Sequence, residues 1–326
     1  MWLRLPKDTT LAFMHSKIDG HCLGIPCLET TILFVQRSKC ERLVNSGTTE
    51  VANIVQCKAV VSDLVVANAP ISVYGIMVNS KSEEDKAWRE ALVRTHDCVD
   101  LANVQVDKGG FYWLRNPRHV FPRLFIRGLQ LRGGLLTTKV RSSRGGRRAA
   151  ADSCCRGLCG CPESIGHILQ KYSITHEARC ARHNRVVQLI GKLLRARGRS
   201  VFVEPIIPSA STFCKPDLVV RSGSSILVMD VTTVSSRRLV ESWHLKVSKY
   251  DNPATNVMIA SVCTDNNSES YAVKHTPVVL SDMGEFYQKS GLELRKIGFT
   301  DRDISDICLL TTIGSLKCYD VYMQTT

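Results

Sequence analysis

Two aspartates and two lysines carry the sharpest chemical signal in the chain. Lys215-Pro216-Asp217 is followed by Asp230, with twelve residues between the acids, and then by Lys246 and Lys249-Tyr250. Two carboxylates brought together make a hard oxygen site suited to Mg²⁺ or Mn²⁺, which polarises a phosphate ester and lowers the pKa of a bound water. A lysine beside them orients that water or neutralises charge developing on phosphorus. Each acid alone also has an ordinary explanation, since Asp is at home in turns and at strand ends. Asp230, however, stands between Met229 and Val231 in an apolar run, where a carboxylate is costly unless paired or metal-bound.

The elements that must position these groups are legible as hydrophobic periodicity. Leu218-Val219-Val220 and Ile226-Leu227-Val228-Met229 read as two strands joined through Arg221-Ser222-Gly223-Ser224-Ser225, a hairpin with a loop longer than two residues. Asp217 would open the first strand and Asp230 close the second, so the hairpin carries both acids to one end of a sheet. A helix is expected over 175–197, with Val186, Val187, Leu189, Ile190, Leu193 and Leu194 at helical spacing, Thr175 at its start and Gly198 past its end. Val201–Val203 reads as a strand, Ser236–Tyr250 as a helix, and Val257–Val262 as a further strand. That alternation predicts an α/β, mixed α+β layer order with a mixed sheet flanked by helices.

Upstream lies a cysteine and histidine cluster, Cys155-x3-Cys159-x7-His167, followed by Tyr172, Thr175-His176 and Arg182-His183-Asn184. Tetrahedral zinc takes four N or S ligands, and three stand in register here. His176, Cys154, Cys161 or Cys180 could supply a fourth; reduced cysteines packed without metal are the alternative. From Arg115 to Arg156 inclusive there are eleven Lys/Arg and one acid, Asp152, and the net charge of the chain is +13. Arg141, Arg144, Arg147 and Arg148, set among glycines and serines, suit a strip that follows a phosphate backbone. A solvated basic loop is the plain alternative.

The order Pro-Asp, a dozen residues, Asp resembles the PD-(D/E)-x-K nuclease superfamily. In the wider superfamily the lysine stands two residues after the second acid, where this chain has Thr232. The helix-borne Lys-x-x-Lys-Tyr at Lys246 to Tyr250 instead resembles the branch found in non-LTR retrotransposons that insert at fixed sites such as ribosomal RNA genes. The Cys155–His167 segment resembles the zinc knuckle preceding that nuclease, with Tyr172 where the family has its last Cys. Trp2-Leu3-Arg4-Leu5-Pro6, His15 and Asp19-Gly20-His21-Cys22 resemble the thumb after the reverse-transcriptase palm, and Gly128–Gly134 with Arg141–Gly145 resembles the linker before the knuckle.

The resemblance implies a thumb-like remnant over 1–110, a basic linker over 111–153, a degenerate CCHC-type knuckle over 154–180 and a restriction-endonuclease-like domain over 181–326. It further implies an endonuclease that nicks DNA, with Asp217 and Asp230 holding Mg²⁺ and acting with Lys246 or Lys249 as catalytic residues. Cys155, Cys159 and His167 are the implied zinc ligands, with His176 taken as the candidate fourth in place of Tyr172, and Arg182 and His183 are implied to touch nucleic acid. No Asp-Asp dipeptide occurs in the chain, so reverse transcription is not expected of it. The competing expectation is an inactive nucleic-acid-binding remnant. DNA is the expected partner and element RNA a second.

Composition bounds the rest. At 326 residues with 44% hydrophobic content, a substantial core is assured. The fourteen cysteines follow a start without an apolar signal core, so reduced thiols in the nucleus, or in the cytoplasm, are expected. The most apolar stretch, Leu64–Val78, is broken by Asn68, Pro70, Ser72 and Gly75, so no membrane partner is expected.

Overall fold

The computed structural model describes residues 5–17, 22–48, 50–51, 69–98, 105–144, 153–208, 213–250, 252–263 and 271–325. Trp2, Leu3, Arg4, Asp19, Gly20, His21, Arg147 and Arg148 lie outside the described residues. The chain divides into two compact units, Lys7–Ala102 and a second composed of Met1–Pro6 with Asn103–Thr326. The segments 111–153, 154–180 and 181–326 therefore lie together in one unit.

The unit Lys7–Ala102 contains α1 (Leu11–His15), α2 (Leu28–Val44), a short hairpin of β1 (Ser72–Val73) and β2 (Ile76–Met77), and α3 (Lys81–Val93). Ser80 caps α3, its hydroxyl accepting from Glu83 N, and Trp88 and Leu92 bury one face of the helix. Buried Glu84 accepts from the Thr30 hydroxyl at 2.6 Å, the Trp88 indole at 3.2 Å and Lys81 at 2.5 Å. Burial would raise its pKa, and these three donors together bring it below the ordinary value.

The larger unit is a mixed α/β assembly. It opens with α4 (Tyr112–Arg115), α5 (Pro122–Arg132), α6 (Lys139–Ser142), α7 (Ile165–Gln170) and the long α8 (His176–Ala196). Three strands follow, β3 (Ser200–Val203), β4 (Ile207–Pro208) and β5 (Phe213–Cys214), and then the hairpin of β6 (Leu218–Ser222) and β7 (Ser225–Met229). Next come β8 (Val231–Val234), α9 (Leu239–Tyr250), α10 (Pro253–Cys263), β9 (Ala272–His275), β10 (Val278–Ser281), α11 (Gln288–Lys296) and α12 (Asp301–Thr325).

Four strands form the order β3-β6-β7-β9, antiparallel except for the parallel β7–β9 pair, and β8 pairs in parallel with β10. Ser225 faces Ala272 and Val231 faces Val278, the same offset, so one register runs through both parallel pairs and β7–β8 is one strand interrupted at Asp230. Alternation sends Leu218, Val220, Leu227 and Met229 to one face, against Val186, Val187, Ile190 and Leu194 of α8 and Ile304, Ile307 and Cys308 of α12. Val219, Ile226 and Val228 face the other way, against Ile259 of α10.

Two expectations from the sequence are corrected. The hairpin loop is two residues long, Ser222 pairing with Ser225, and Gly223 takes the positive φ of +59° that a primed turn needs at its first position. The stretch 257–262 lies in helix α10, not in a strand. Its β-branched residues were misleading, because Asn252 caps the helix by accepting from Thr255 N at 2.7 Å and Pro253 occupies the first helical position. Among the described residues no helix is long and apolar enough to cross a membrane.

Ile190 is fully buried between α8 and the sheet. Ile190→Ala should lower unfolding stability by about 2–5 kcal/mol, read as a lower urea midpoint; an unchanged midpoint would contradict this packing.

Candidate active site and Cys/His cluster

The hairpin register explains how the two aspartates meet. Leu218 pairs with Met229, so one further step places Asp217 opposite Asp230. Like charges directly across a strand pair repel, and the structure surrounds this pair with cationic groups. Lys246 Nζ donates to Asp230 Oδ1 at 2.9 Å, and Lys249 Nζ lies 3.6 Å from Asp230 Oδ2. Both lysines share one face of α9, three residues apart, the spacing at which helical side chains stack.

His183 Nε2 lies 3.1 Å from Asp217 Oδ1, and Asp217 Oδ2 accepts the backbone N–H of Val231 at 2.6 Å, across the interruption in the strand. Asp230 is buried, and its Oδ2 has no hydrogen-bond partner. Glu204 lies one register step beyond Val203, its N–H donating to Asp217 O at 2.9 Å; it leaves the strand at φ +47°, and its carboxylate pairs with Lys215.

The electrostatics split the two acids. Burial alone would raise Asp217, but the hydrogen bond and charge of His183, with the Val231 N–H, hold it below the ordinary carboxylate value. Burial raises Asp230, the neighbouring Asp217 charge adds to that, and Lys246 only partly offsets it. The hydrogen bond to Asp217 raises His183 above the ordinary imidazole value, burial opposing. One carboxylate is thus firmly ionised and its partner is reluctant to be, as expected where two like charges share a poorly solvated corner.

His183 is the residue whose place the sequence reading understated. Its spacing from Val187, Ile190 and Leu194 puts it on the buried stripe of α8, one turn ahead of the apolar residues, and that was the available signal. Arg182 requires a correction. It was expected at nucleic acid, but it is buried against α12, where a Cβ on Gly314 would approach its Cγ to 2.4 Å and its Nη1 donates to Ser315 Oγ at 2.9 Å. Of the basic strip, Arg141 is half-buried and Arg144 exposed.

A second cluster lies at α7. Cys155, Cys159 and His167 place their ligand atoms within 4.8 Å of one another, a group that could hold a metal ion. Cys159 Sγ and His167 Nε2 are 3.3 Å apart. Burial, with the charge of Lys171, lowers the His167 pKa and favours the neutral imidazole that ligates metal. His176 is not with them: its Nε2 lies 3.5 Å from Cys180 Sγ on the first turn of α8. Tyr172 is there instead, its ring 5.5 Å from that of His167 and its hydroxyl pressed against Gly157, where a Cβ would come within 1.8 Å.

The cluster is anchored by Glu163, which is fully buried. Its carboxylate accepts from Lys139 N at 2.9 Å, from Arg156 Nη2 at 2.8 Å and from the Tyr322 hydroxyl at 2.7 Å. Tyr322 also lies 3.2 Å from Cys155 Sγ.

Among known proteins, a retrovirus-related Pol polyprotein from a type-1 retrotransposable element R2 of Nasonia vitripennis is 24% identical over 326 residues, all of this chain and 30% of its own length. The homologues of this chain are R2 non-LTR retrotransposon Pol polyproteins. The type-2 element R2DM of Drosophila melanogaster is 30% identical over 77% of the chain and 24% of its own length. An R2 polyprotein of Bradysia coprophila is 27% identical over 97% of the chain and 35% of its own length. The chain thus spans about a third or less of these R2 relatives, consistent with a C-terminal region of such a polyprotein. No protein-family model matches it.

The His183–Asp217 pair sets a pH signature. His183 is raised in the fold, so its stabilisation is complete below its ordinary value of 6.5 and is lost as pH rises through the higher folded value. Asp217 is depressed, so its share is present above 3.8 and lost as pH falls through the lower folded value. The destabilisation caused by His183→Gln should therefore be larger between these limits than at alkaline pH, measured by denaturant unfolding at both; a larger penalty at alkaline pH would contradict the pairing.

Proposed function

We propose that this chain is a retrotransposon-derived, metal-dependent DNA endonuclease with a restriction-endonuclease-like core. The observation that carries the reading is the apposition of Asp217 and Asp230 across the hairpin, with Lys246 and Lys249 on the adjoining helix face. The residues present fit a hard divalent cation. Two carboxylates converge, and a buried oxygen of Asp230 lacks a hydrogen-bond partner.

Asp217 and Asp230 would hold Mg²⁺ or Mn²⁺, which supplies Lewis-acid polarisation of the scissile phosphate and a more acidic water. The chain's own groups supply the remainder. Asp217, kept ionised by His183, accepts without first losing a proton. Lys246 donates to Asp230 and stands ready to hold the nucleophilic water or to neutralise charge on phosphorus, with Lys249 beside it. His183 is a positioning residue acting through Asp217.

The knuckle is read as a zinc site in which Cys155, Cys159 and His167 are three ligands and His176 is not the fourth. Tyr172 stands at the chain position where the resembled family has its last cysteine. This departure favours a second reading, a binding remnant that does not cut. The region 1–110 is assigned to the thumb-like remnant, and the nucleus is the proposed location.

Purified protein should nick supercoiled plasmid in Mg²⁺ or Mn²⁺ and not in EDTA. Asp217→Asn and Asp230→Asn should each abolish nicking, and Lys246→Ala should slow it on the order of 100-fold; nicking that survives in both Asn variants would refute the assignment. DNA binding without nicking by the unaltered protein would establish the second reading. For the knuckle, Tyr172→Cys should retain zinc against a mild chelator better than the native chain, and Cys159→Ser worse; equal zinc content in all three proteins would overturn the ligand set.

A further inference from the structure

A cleft of about 700 Å³ opens between the knuckle and the corner where β8 turns into α9. Ser164, His167 and Lys171 line one side, and Ser235, Arg237 and Arg238 the other; among the described residues no acidic one lines it. We propose that this cleft seats the phosphodiester backbone of the DNA duplex flanking the carboxylate pair. The inference rests on the endonuclease reading and gives the substrate of that site a second point of attachment.

Three observations carry it. Lys171, Arg237 and Arg238 are exposed at the cleft, while Ser164 and Ser235 are half-buried hydroxyls between them. A cleft lined by one sign of charge concentrates its field on an anion, and serine hydroxyls with guanidinium groups are the usual donors to phosphate oxygens. Glu241 sits outside the lining and grips Arg238 through two contacts, at 3.0 and 3.2 Å, which fixes the direction of that guanidinium.

The third observation is continuity with the carboxylates. Leu239 packs beside Val234 while Lys246 reaches Asp230, so α9 runs back along β8 from the cleft to the acids. Ser235 lies five steps of extended chain beyond Asp230, about 16 Å at a strand's rise per residue. That is the axial length of a few nucleotides at about 3.4 Å each. One rigid strand and helix thus separate the phosphates held in the cleft from the phosphate to be cut. The opposite wall is fixed by α7 and the buried Glu163.

The test is binding of the full chain to a fluorescent mixed-sequence DNA duplex across a salt series, with no Mg²⁺ or Mn²⁺ added and no chelator present, so that cleavage does not enter the reading and no zinc is withdrawn from the wall that His167 lines. Lys171→Ala/Arg237→Ala/Arg238→Ala should weaken binding roughly 10-fold or more and reduce the slope of log affinity against log salt by about 2 to 3. Arg237→Lys/Arg238→Lys should keep most of the affinity. Lys192→Ala/Lys317→Ala, two exposed positions elsewhere, should change it little. A triple variant no weaker than this control would overturn the proposal, as would a loss confined to duplex RNA of the same sequence. Loss of nicking in the aspartate variants with the cleft effect absent would sink this inference alone. The cleft effect without any nicking would sink the endonuclease reading alone.

Discussion

The structure is organised around the cost of placing Asp230 in a buried strand directly across from Asp217. An apolar sheet corner would ordinarily exclude even one carboxylate, and two repel. The chain meets that cost with groups from three directions: His183 from α8, Lys246 and Lys249 from α9, and the Val231 N–H at the break in the strand. Each donor depends on the packing of its own element. The α8 stripe Val187, Ile190 and Leu194 is what turns His183 toward the sheet, and Leu239 and Trp243 seat α9 beside β8 and β10 so that Lys246 comes within reach.

The Cys155–His167 cluster is tied to the same body by a different buried acid. Glu163 joins α6 at Lys139, the loop before α7 at Arg156 and the last helix at Tyr322, and burial without these partners would be prohibitive. Burial would raise Glu163, but its donors bring it below the ordinary value, whereas the Tyr322 hydroxyl is pushed up by burial. Leu131, Ile168, Leu169, Tyr172 and Tyr322 form one apolar cluster around that bond. The Cys155–His167 cluster is thus a wall of the larger unit rather than a bead on a tether.

Much of this was legible in the sequence where periodicity and chemistry coincide. The α8 stripe, the two hairpin strands and the paired acids follow from alternation and spacing, because a buried face leaves little choice of register. What was not legible depended on tertiary neighbours. Arg182 looks like a surface cation and is buried because Gly314 lets its side chain pass close to α12. His183 looked incidental because its partner lies thirty-four residues away, just ahead of β6. The stretch 257–262 looked like a strand because its β-branched residues outweighed the Asn252-Pro253 start signal. His176 stood at a plausible ligand spacing, but the start of α8 turns it toward Cys180.

Mn²⁺ binding followed by electron paramagnetic resonance reads whether Asp217 and Asp230 form a divalent-metal site. Such a site requires saturable binding by the native protein that is lost in Asp217→Asn/Asp230→Asn and strengthened in Lys246→Met, where the competing ammonium is gone. Undiminished Mn²⁺ binding in the double aspartate variant would contradict it.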